Sequence, residues 1–262
     1  MKLGVWLATL CVVAVGWQVL AFVLGDGWWP GLAKTASYFV SSAMNDAVLE
    51  REGAGDGGFL PHATATVLAF LASVSLGCLA GALIAAIAVG SGIVGASLER
   101  ILEFVRTLPP LIFVPFLLLA YGASHTSVFL TGLLYATVSF FFYWLAGLRS
   151  VAASYIEQAK VFGAGNVTIW HTVLVPASLP AVLGGLRVTG GLTLGIVIVA
   201  EYLGGPSGLG RTLKCGVAYS SALMLFVGVL WAVGIGVVYD ILIGLVTRRA
   251  LGWKIAAPTA MR

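Results

Sequence analysis

Residues 63–90 read ATATVLAFLASVSLGCLAGALIAAIAVG, a run of apolar and small residues without a charged side chain. An α-helix rises about 1.5 Å per residue, so roughly 20 apolar residues cross the ~30 Å hydrocarbon core of a bilayer. The run is long enough to do so, and it predicts a membrane-spanning helix.

Five further segments meet the same criterion: residues 4–24, 101–121, 128–147, 181–203 and 222–246. Together with residues 63–90 they predict six membrane spans. We expect an all-α integral membrane protein with a single transmembrane domain over residues 1–262. Segment 4–24 is longer than the core of a signal peptide and lacks a following cleavage site, so we expect it to be retained. Small residues four apart predict close helix packing at two pairs: Gly77 with Gly81, and Gly191 with Gly195.

The composition excludes a water-soluble globule. Hydrophobic residues make up 60% of the chain and charged residues 9%, with a mean hydropathy of +1.04, whereas roughly a quarter of the residues in a soluble domain are charged. The net charge of +4 does not indicate nucleic-acid binding, because the basic residues punctuate apolar segments. His62, His125 and His171 are too dispersed for metal-ligand spacing, so no metal site is predicted.

The distribution of Lys and Arg predicts the orientation, because cytoplasmic helix ends carry the excess of positive charge. With the amino terminus inside, nine basic residues flank the cytoplasmic ends: Lys2, Arg100, Arg106, Arg149, Lys160, Arg248, Arg249, Lys254 and Arg262. Four flank the outer ends: Lys34, Arg51, Arg211 and Lys214. Both termini are therefore expected in the cytoplasm and the connection 25–62 outside, with Trp28 and Trp29 at the outer interface or packed against neighbouring loops.

The connection between the fourth and fifth spans, residues 149–180, is the most informative part of the chain. Ser154 and Glu157 have the spacing of a capping box, which predicts the start of a short helix. Gly163 and Gly165 are suited to the left-handed backbone that ends a helix.

A second short helix is predicted from Asn166, a residue suited to the N-cap, toward Pro176. The segment 167–175 is apolar and has no Lys or Arg to meet phosphates, which excludes DNA binding by this helix-turn-helix. The first helix carries one apolar stripe, for docking or for packing on the second helix, at positions i, i+4 and i+7: Tyr155, Ala159 and Phe162.

These residues resemble the EAA loop of binding-protein-dependent ABC importer permeases. That loop has the pattern Glu-Ala-Ala, three residues, Gly, nine residues, Ile-x-Leu-Pro, and here Glu157, Ala159 and Gly163 precede VLVP at 173–176 with the same spacing. Gln158 departs from the second-position Ala, and two valines replace Ile and Leu. The resemblance implies a cytoplasmic element that couples the permease to an ATPase, formed by Glu157, Gln158, Ala159, Lys160, Gly163 and Pro176.

Two further stretches resemble the branch of this family that serves nitrate, taurine, alkanesulfonates and bicarbonate. They are RTLPPL at 106–111, and GLRV at 185–188 with AEYL at 200–203. The branch implies an organic or inorganic anion as solute, of the sulfonate, nitrate, bicarbonate or carboxylate type, or alternatively a neutral heterocyclic vitamin precursor.

The family also implies the surroundings of the chain. A multi-pass permease of this kind lies in the inner membrane with a second permease copy, expected as a homodimer, two ATPase subunits that hold ATP and Mg²⁺, and an extracytoplasmic substrate-binding protein. The chain has no Gly-x-x-x-x-Gly-Lys-Ser/Thr phosphate loop, so it is not expected to hydrolyse ATP or to hold a cofactor of its own.

Two basic residues inside predicted spans are candidates for the substrate pathway, because charges in hydrocarbon are costly and mark pathways by default. Arg106 lies near the cytoplasmic end of the third span and alternatively snorkels to the interface. Arg187 lies near the cytoplasmic end of the fifth span and alternatively forms a structural ion pair.

Two acids in or beside apolar segments are expected in structural pairs rather than in a proton relay. For Glu201 the partner is water or a residue such as Arg211. For Asp240 it is Arg248 or Arg249.

Two rival classes have weaker support. The segment GPSG at 205–208 has the form of an intramembrane serine protease motif, but no His follows Ser207, so we interpret it as an outer turn. A secondary transporter would show broken helices in two related halves. Pro109 and Pro110 break the third span, and no counterpart is visible in a second half.

Overall fold

The computed structural model describes residues 2–51, 53 and 57–252, and within those residues the regular elements are helical. They are α1 (Lys2–Leu24), α2 (Leu32–Ser41), α3 (Ala47–Arg51), α4 (Phe59–Gly90), α5 (Gly92–Thr107), a 3₁₀ turn (Pro110–Phe113), α6 (Val114–Tyr121), α7 (His125–Arg149), α8 (Ala153–Val161), α9 (Asn166–Ile169), a π turn (Trp170–Leu174), α10 (Val175–Gly204), α11 (Leu209–Ala218) and α12 (Ala222–Ala250). The all-α prediction is confirmed for this part of the chain. Lys254 and Arg262 of the charge count, and residues 52 and 54–56 of the predicted external connection, lie outside the described residues.

Four helices in the described residues are long and apolar enough to cross a membrane: Phe59–Gly90, His125–Arg149, the continuous helix Asn166–Gly204, and Ala222–Ala250. A fifth span results only if α5 and the segment Pro110–Tyr121 are counted together. In α1 the apolar helix Cys11–Leu24 is shorter than these. The membrane character is therefore confirmed, whereas the six-span plan and its orientation stay predictions.

The predicted third span, residues 101–121, is not one straight helix. α5 ends at Thr107, Leu108 has an extended backbone (φ −79°, ψ 132°), and the segment after the break is bent by 88° from α5. A residue before proline avoids the helical region, and proline has no N–H to continue the helical ladder. The expected break at Pro109 and Pro110 is confirmed. The sequence did not predict how sharp the bend is.

The chain packs as two compact units. The first consists of the residues up to Leu68 with Ala123–His125 and Ile198–Ile235. The second consists of Ala69–Gly122, Thr126–Val197 and the residues from Gly236 onward. No observation tests the prediction of a single transmembrane domain.

In the first unit the connection predicted to lie outside is folded. The N–H groups of residues 58, 59 and 60 donate to the carbonyls of residues 44, 42 and 43, at 2.8, 3.0 and 2.8 Å. Tyr38 donates a hydrogen bond to the buried Asp46, and burial together with this carboxylate raises the pKa of Tyr38. Trp29 packs edge-on against Trp17 and Phe226.

In the second unit small residues bring α4 and α7 together. A Cβ added at Gly77 would lie 2.5 Å from Ala136 Cβ, and one at Gly81 would lie 2.6 Å from the Thr137 carbonyl oxygen. Helix packing predicted for this pair is confirmed. For Gly191 and Gly195 the same prediction stays a prediction, because an added Cβ meets no described atom of this chain within 4 Å at either position.

Candidate coupling loop and charged cavity

The first helix of the candidate coupling loop, α8, begins earlier than the sequence predicted. Its N-cap is Ala152, whose backbone is extended (φ −60°, ψ 133°), and no side chain caps it. Ser154 therefore lies inside the first turn, and the capping box with Glu157 is wrong. The pattern fails because a cap needs the non-helical residue at the helix start, and that residue is two positions upstream.

The turn after α8 depends on Gly163. Its φ of +79° is the left-handed conformation predicted for it, and the Ala164 N–H donates to the Ala159 carbonyl at 3.0 Å. Gly165 has a φ of −73° and is the N-cap of α9, so its predicted left-handed backbone is wrong. Asn166 is the first residue of α9 and forms no side-chain cap, so its predicted capping role is wrong as well.

The second helix of the loop does not end at Pro176. α9, the π turn Trp170–Leu174 and α10 form one continuous helix from Asn166 to Gly204. Pro176 lies in the first turn of α10, directly after the π turn. Proline lacks the N–H that the α-helical ladder needs at its position, and a wider π turn before it lets the helix continue. The loop is thus a short helix joined by a turn to an extension of a long apolar helix.

The two aromatic members of the apolar stripe of α8 are exposed. Tyr155 is 60% exposed and Phe162 is 89% exposed, and Val161 beside them is 84% exposed. Glu157, Gln158 and Lys160 are exposed as well. Of the two uses that the sequence suggested for the stripe, packing on the second loop helix is seen in part, because α8 contacts α9 and the π turn and Ala159 is half-buried, whereas docking stays a prediction. The loop presents aromatic and charged side chains outward.

Arg187 and Asp240 form an ion pair in the second unit. The guanidinium Nε and Nη2 atoms donate to the two carboxylate oxygens, and both side chains are about half exposed. The partner expected for Asp240 was Arg248 or Arg249, so that assignment is wrong. Nearby, the Tyr239 hydroxyl donates to the Leu186 carbonyl at 2.8 Å. A pathway role for Arg187 stays a prediction.

Arg106 lies at the wall of a cavity of about 460 Å³ in the second unit. Its guanidinium carbon is 5.0 Å from the centroid of the Phe142 ring, a favourable cation–π distance. Apolar residues form most of the lining: Val105, Leu108, Pro110, Phe113, Leu134, Val138, Phe142, Ala146 and Leu192. Tyr135, Ser139 and Tyr143 supply hydroxyl groups. The sequence identified Arg106 but not these neighbours.

Glu201 is held in a buried polar cluster of the first unit. It is 2% exposed and accepts hydrogen bonds from the Thr66 hydroxyl at 2.9 Å and the Gly210 N–H at 3.0 Å. The buried His62 accepts the Gly208 N–H through Nδ1 at 3.1 Å. The cluster fixes the turn that follows α10, in line with the structural role predicted for Glu201.

Arg211, the partner suggested for Glu201, donates hydrogen bonds to the carbonyls of Gly205 and Gly53. Gly208 has a φ of +111°, and a Cβ there would overlap the Glu201 carboxylate. A side chain at that position would therefore expel the acid from its site.

Comparison with known proteins defines the class. Residues 59–252 match the family described as the binding-protein-dependent transport system inner membrane component, and the chain belongs to that family. A probable ABC transporter permease protein of Brucella abortus (strain 2308) is 26% identical over 253 residues, which are 93% of this chain and 97% of the relative.

Two further similarities agree with this class. The taurine transport system permease protein of Escherichia coli (strain K12) is 28% identical over 191 residues, 72% of this chain and 68% of that protein. An inward-facing structure of the MetNI methionine ABC transporter is similar in fold, with a TM-score of 0.65 and 17% identity over 73% of this chain and 95% of that chain. The chain is a permease subunit of an ABC importer, and the resemblance seen in its loop is confirmed.

Proposed function

We propose that the chain is one of two inner-membrane permease subunits that form the translocation pathway for a small anion of the sulfonate, nitrate, bicarbonate or carboxylate type. Two partner ATPase subunits, which hold ATP and Mg²⁺, drive the movement, and an extracytoplasmic binding protein delivers the solute. Family membership and the taurine named for one relative support this function.

The observation that carries the proposal is the exposed face of the coupling loop. An importer that uses a partner's ATP needs a rigid projection that converts motion of the soluble subunit into motion of membrane helices. α8 presents Tyr155, Val161 and Phe162 outward, and exposed aromatic clusters of this kind mark contact surfaces. We assign this face to the ATPase, with Glu157 and Lys160 as polar contacts at its edge.

A second permease copy is supported by an open face of α10. An added Cβ meets no described atom within 4 Å at Gly184, Gly191 or Gly195. Small residues let helix backbones approach closely in lipid, where no hydrophobic force drives association. We assign this face of α10 to the homodimer contact.

The coupling assignment is tested by Gly163→Asp with Gly163→Asn as its matched control. A Cβ at Gly163 meets no described atom of this chain within 4 Å, and Asp and Asn both tolerate a left-handed backbone. They differ in charge. A charge buried without a partner at an interface costs roughly 2–5 kcal/mol, so Gly163→Asp should reduce ATPase retention more than about tenfold.

The measurement is copurification of the ATPase with membrane-inserted permease, together with ATP-dependent uptake in vesicles. Gly163→Asn should keep most of both activities. If Gly163→Asp retains ATPase and uptake at the wild-type level, the loop is not the coupling element and the proposed function loses its main structural support.

A further inference from the structure

The cavity beside Arg106 has the composition of a ligand site rather than of a packing defect. Its volume of about 460 Å³ lies within the range of roughly 300–1,000 Å³ that small-molecule sites occupy. The walls are mainly apolar, and the polar groups that interrupt them are one guanidinium and three hydroxyls. This is the usual make-up of a site that orients a ligand by a few polar contacts.

The guanidinium of Arg106 is available to a ligand. Among the described residues Arg149 is paired with Glu99 and Arg187 with Asp240. The guanidinium of Arg106 forms no ion pair with a described carboxylate and lies over the ring of Phe142. The ring holds the guanidinium in place without neutralising its charge. A cation on an apolar wall favours an anionic group, and an arginine fork matches a carboxylate or a sulfonate in particular.

The bend between α5 and the segment after it creates the site. Arg106 lies in the last turn of α5, and Pro110 and Phe113 lie just beyond the break. A straight helix would place these residues along one rod, whereas the 88° bend folds them around a common space. Ser139, which bonds Thr189 at 3.1 Å, lies on the facing wall contributed by α7.

We propose that this cavity binds an organic anion, with its carboxylate or sulfonate on Arg106 and a compact apolar body against Phe113, Leu134 and Phe142. The proposal rests on the proposed transport of anions and narrows its substrate class. A three-oxygen inorganic ion such as nitrate would leave most of the space empty and the apolar walls without a partner. The hydroxyls of Tyr135, Ser139 and Tyr143 supply contacts for a second polar group.

The test is equilibrium binding of radiolabelled benzenesulfonate to the permease complex, purified with its ATPase and reconstituted in phosphatidylcholine nanodiscs. Removing a charged hydrogen-bond partner costs roughly 1.5–3 kcal/mol, so Arg106→Gln should weaken binding about 10- to 100-fold. Arg100→Gln on the same helix is the matched control, since Arg100 does not line the cavity, and it should bind as wild type. Unlabelled nitrate and neutral benzyl alcohol should compete poorly.

A second variant keeps the proposal testable if Arg106→Gln fails to fold. Leu134→Trp leaves the guanidinium in place and fills part of the cavity. It should therefore weaken the binding of benzenesulfonate. The smaller methanesulfonate should still compete for the residual binding, because it needs less of the cavity. Wild-type affinity in both variants would overturn the proposal, as would nitrate competing as well as benzenesulfonate.

Three further outcomes distinguish a soluble anion from a lipid headgroup as the ligand, and the cavity assignment from the proposed function. If phosphatidylglycerol added to the nanodiscs displaces the probe in wild type, and copurifies with wild type but not with Arg106→Gln, a lipid headgroup occupies the site and the soluble-anion proposal is wrong. If the ATPase copurifies but no probe binds, the cavity assignment fails alone. If the permease purifies without any ATPase and, reconstituted alone in the same nanodiscs, still binds the probe, the proposed function fails and the cavity assignment stands.

Discussion

At the scale of single residues, the Arg187–Asp240 pair joins α10 to α12 within the second unit. In a low-dielectric environment, loss of one partner leaves the other charge unpaired. Arg187→Gln and Asp240→Asn are therefore each expected to lower the yield and thermal stability of the assembled complex. The double variant, which removes both charges, should recover most of that loss. Size-exclusion profiles and melting curves of the purified complex measure this cycle.

Transport distinguishes the pair from a pathway charge. If Arg187 also attracts the solute, the double variant should assemble normally and still transport poorly. Normal uptake by the double variant would remove Arg187 from the candidate pathway residues, and normal assembly of both single variants would show that the pair has no structural role.

The partners of these charges were beyond the reach of sequence reasoning. The sequence indicated that Asp240 and Glu201 need partners, because acids in apolar segments are costly. It suggested basic residues close by in sequence. Two of the actual contacts are distant: Asp240 pairs 53 positions away and Glu201 bonds a threonine 135 positions away. Such contacts depend on how helices are arranged, which residue spacing alone does not specify.

At the scale of elements, α8 allows the capping and docking roles of Glu157 to be separated. Glu157 is exposed and caps nothing, so Ser154→Ala should leave folding and coupling unchanged. Glu157→Gln should instead weaken ATPase binding or stimulation, because a charged contact at the interface is lost. ATPase copurification and ATPase stimulation measure both variants. A defect in Ser154→Ala equal to that of Glu157→Gln would restore the capping box.

The loop shows which elements a pattern predicts. The turn at Gly163 was predicted correctly, because a left-handed backbone selects glycine strongly. The helix start was missed, since Ala152 carries no signal for an N-cap. The π turn before Pro176 was missed too, because a proline marks an interruption of the helical ladder without saying whether the helix stops or widens.

At the scale of the whole molecule, the orientation predicted from nine against four basic flanks is tested by cysteine labelling. Gly57 is a poor site, because its φ of +93° disfavours a side chain. Met44 is 68% exposed and Val161 84% exposed, so both accept a cysteine. In a background without Cys11, Cys78 and Cys215, Met44→Cys should react with an impermeant maleimide from outside, and Val161→Cys only after permeabilisation.

The reverse labelling pattern would invert the topology and place the candidate coupling loop on the wrong side for an ATPase.

Apolar length predicted the long helices well, because a bilayer imposes one minimum length on every span. It did not distinguish a straight span from two helices bent by 88°, since both have the same composition.

The continuous helix that begins at Asn166 connects the candidate coupling loop to one wall of the cavity. Leu192 lines the cavity and lies on this same helix. Its distance from Asn166 along the helix axis is roughly 39 Å, at about 1.5 Å per residue. Over that arm a tilt of about 5° displaces the far end by roughly 3 Å, about the width of one water layer. We therefore expect that a small tilt of this helix, imposed at the loop, is large enough to change the width of the cavity.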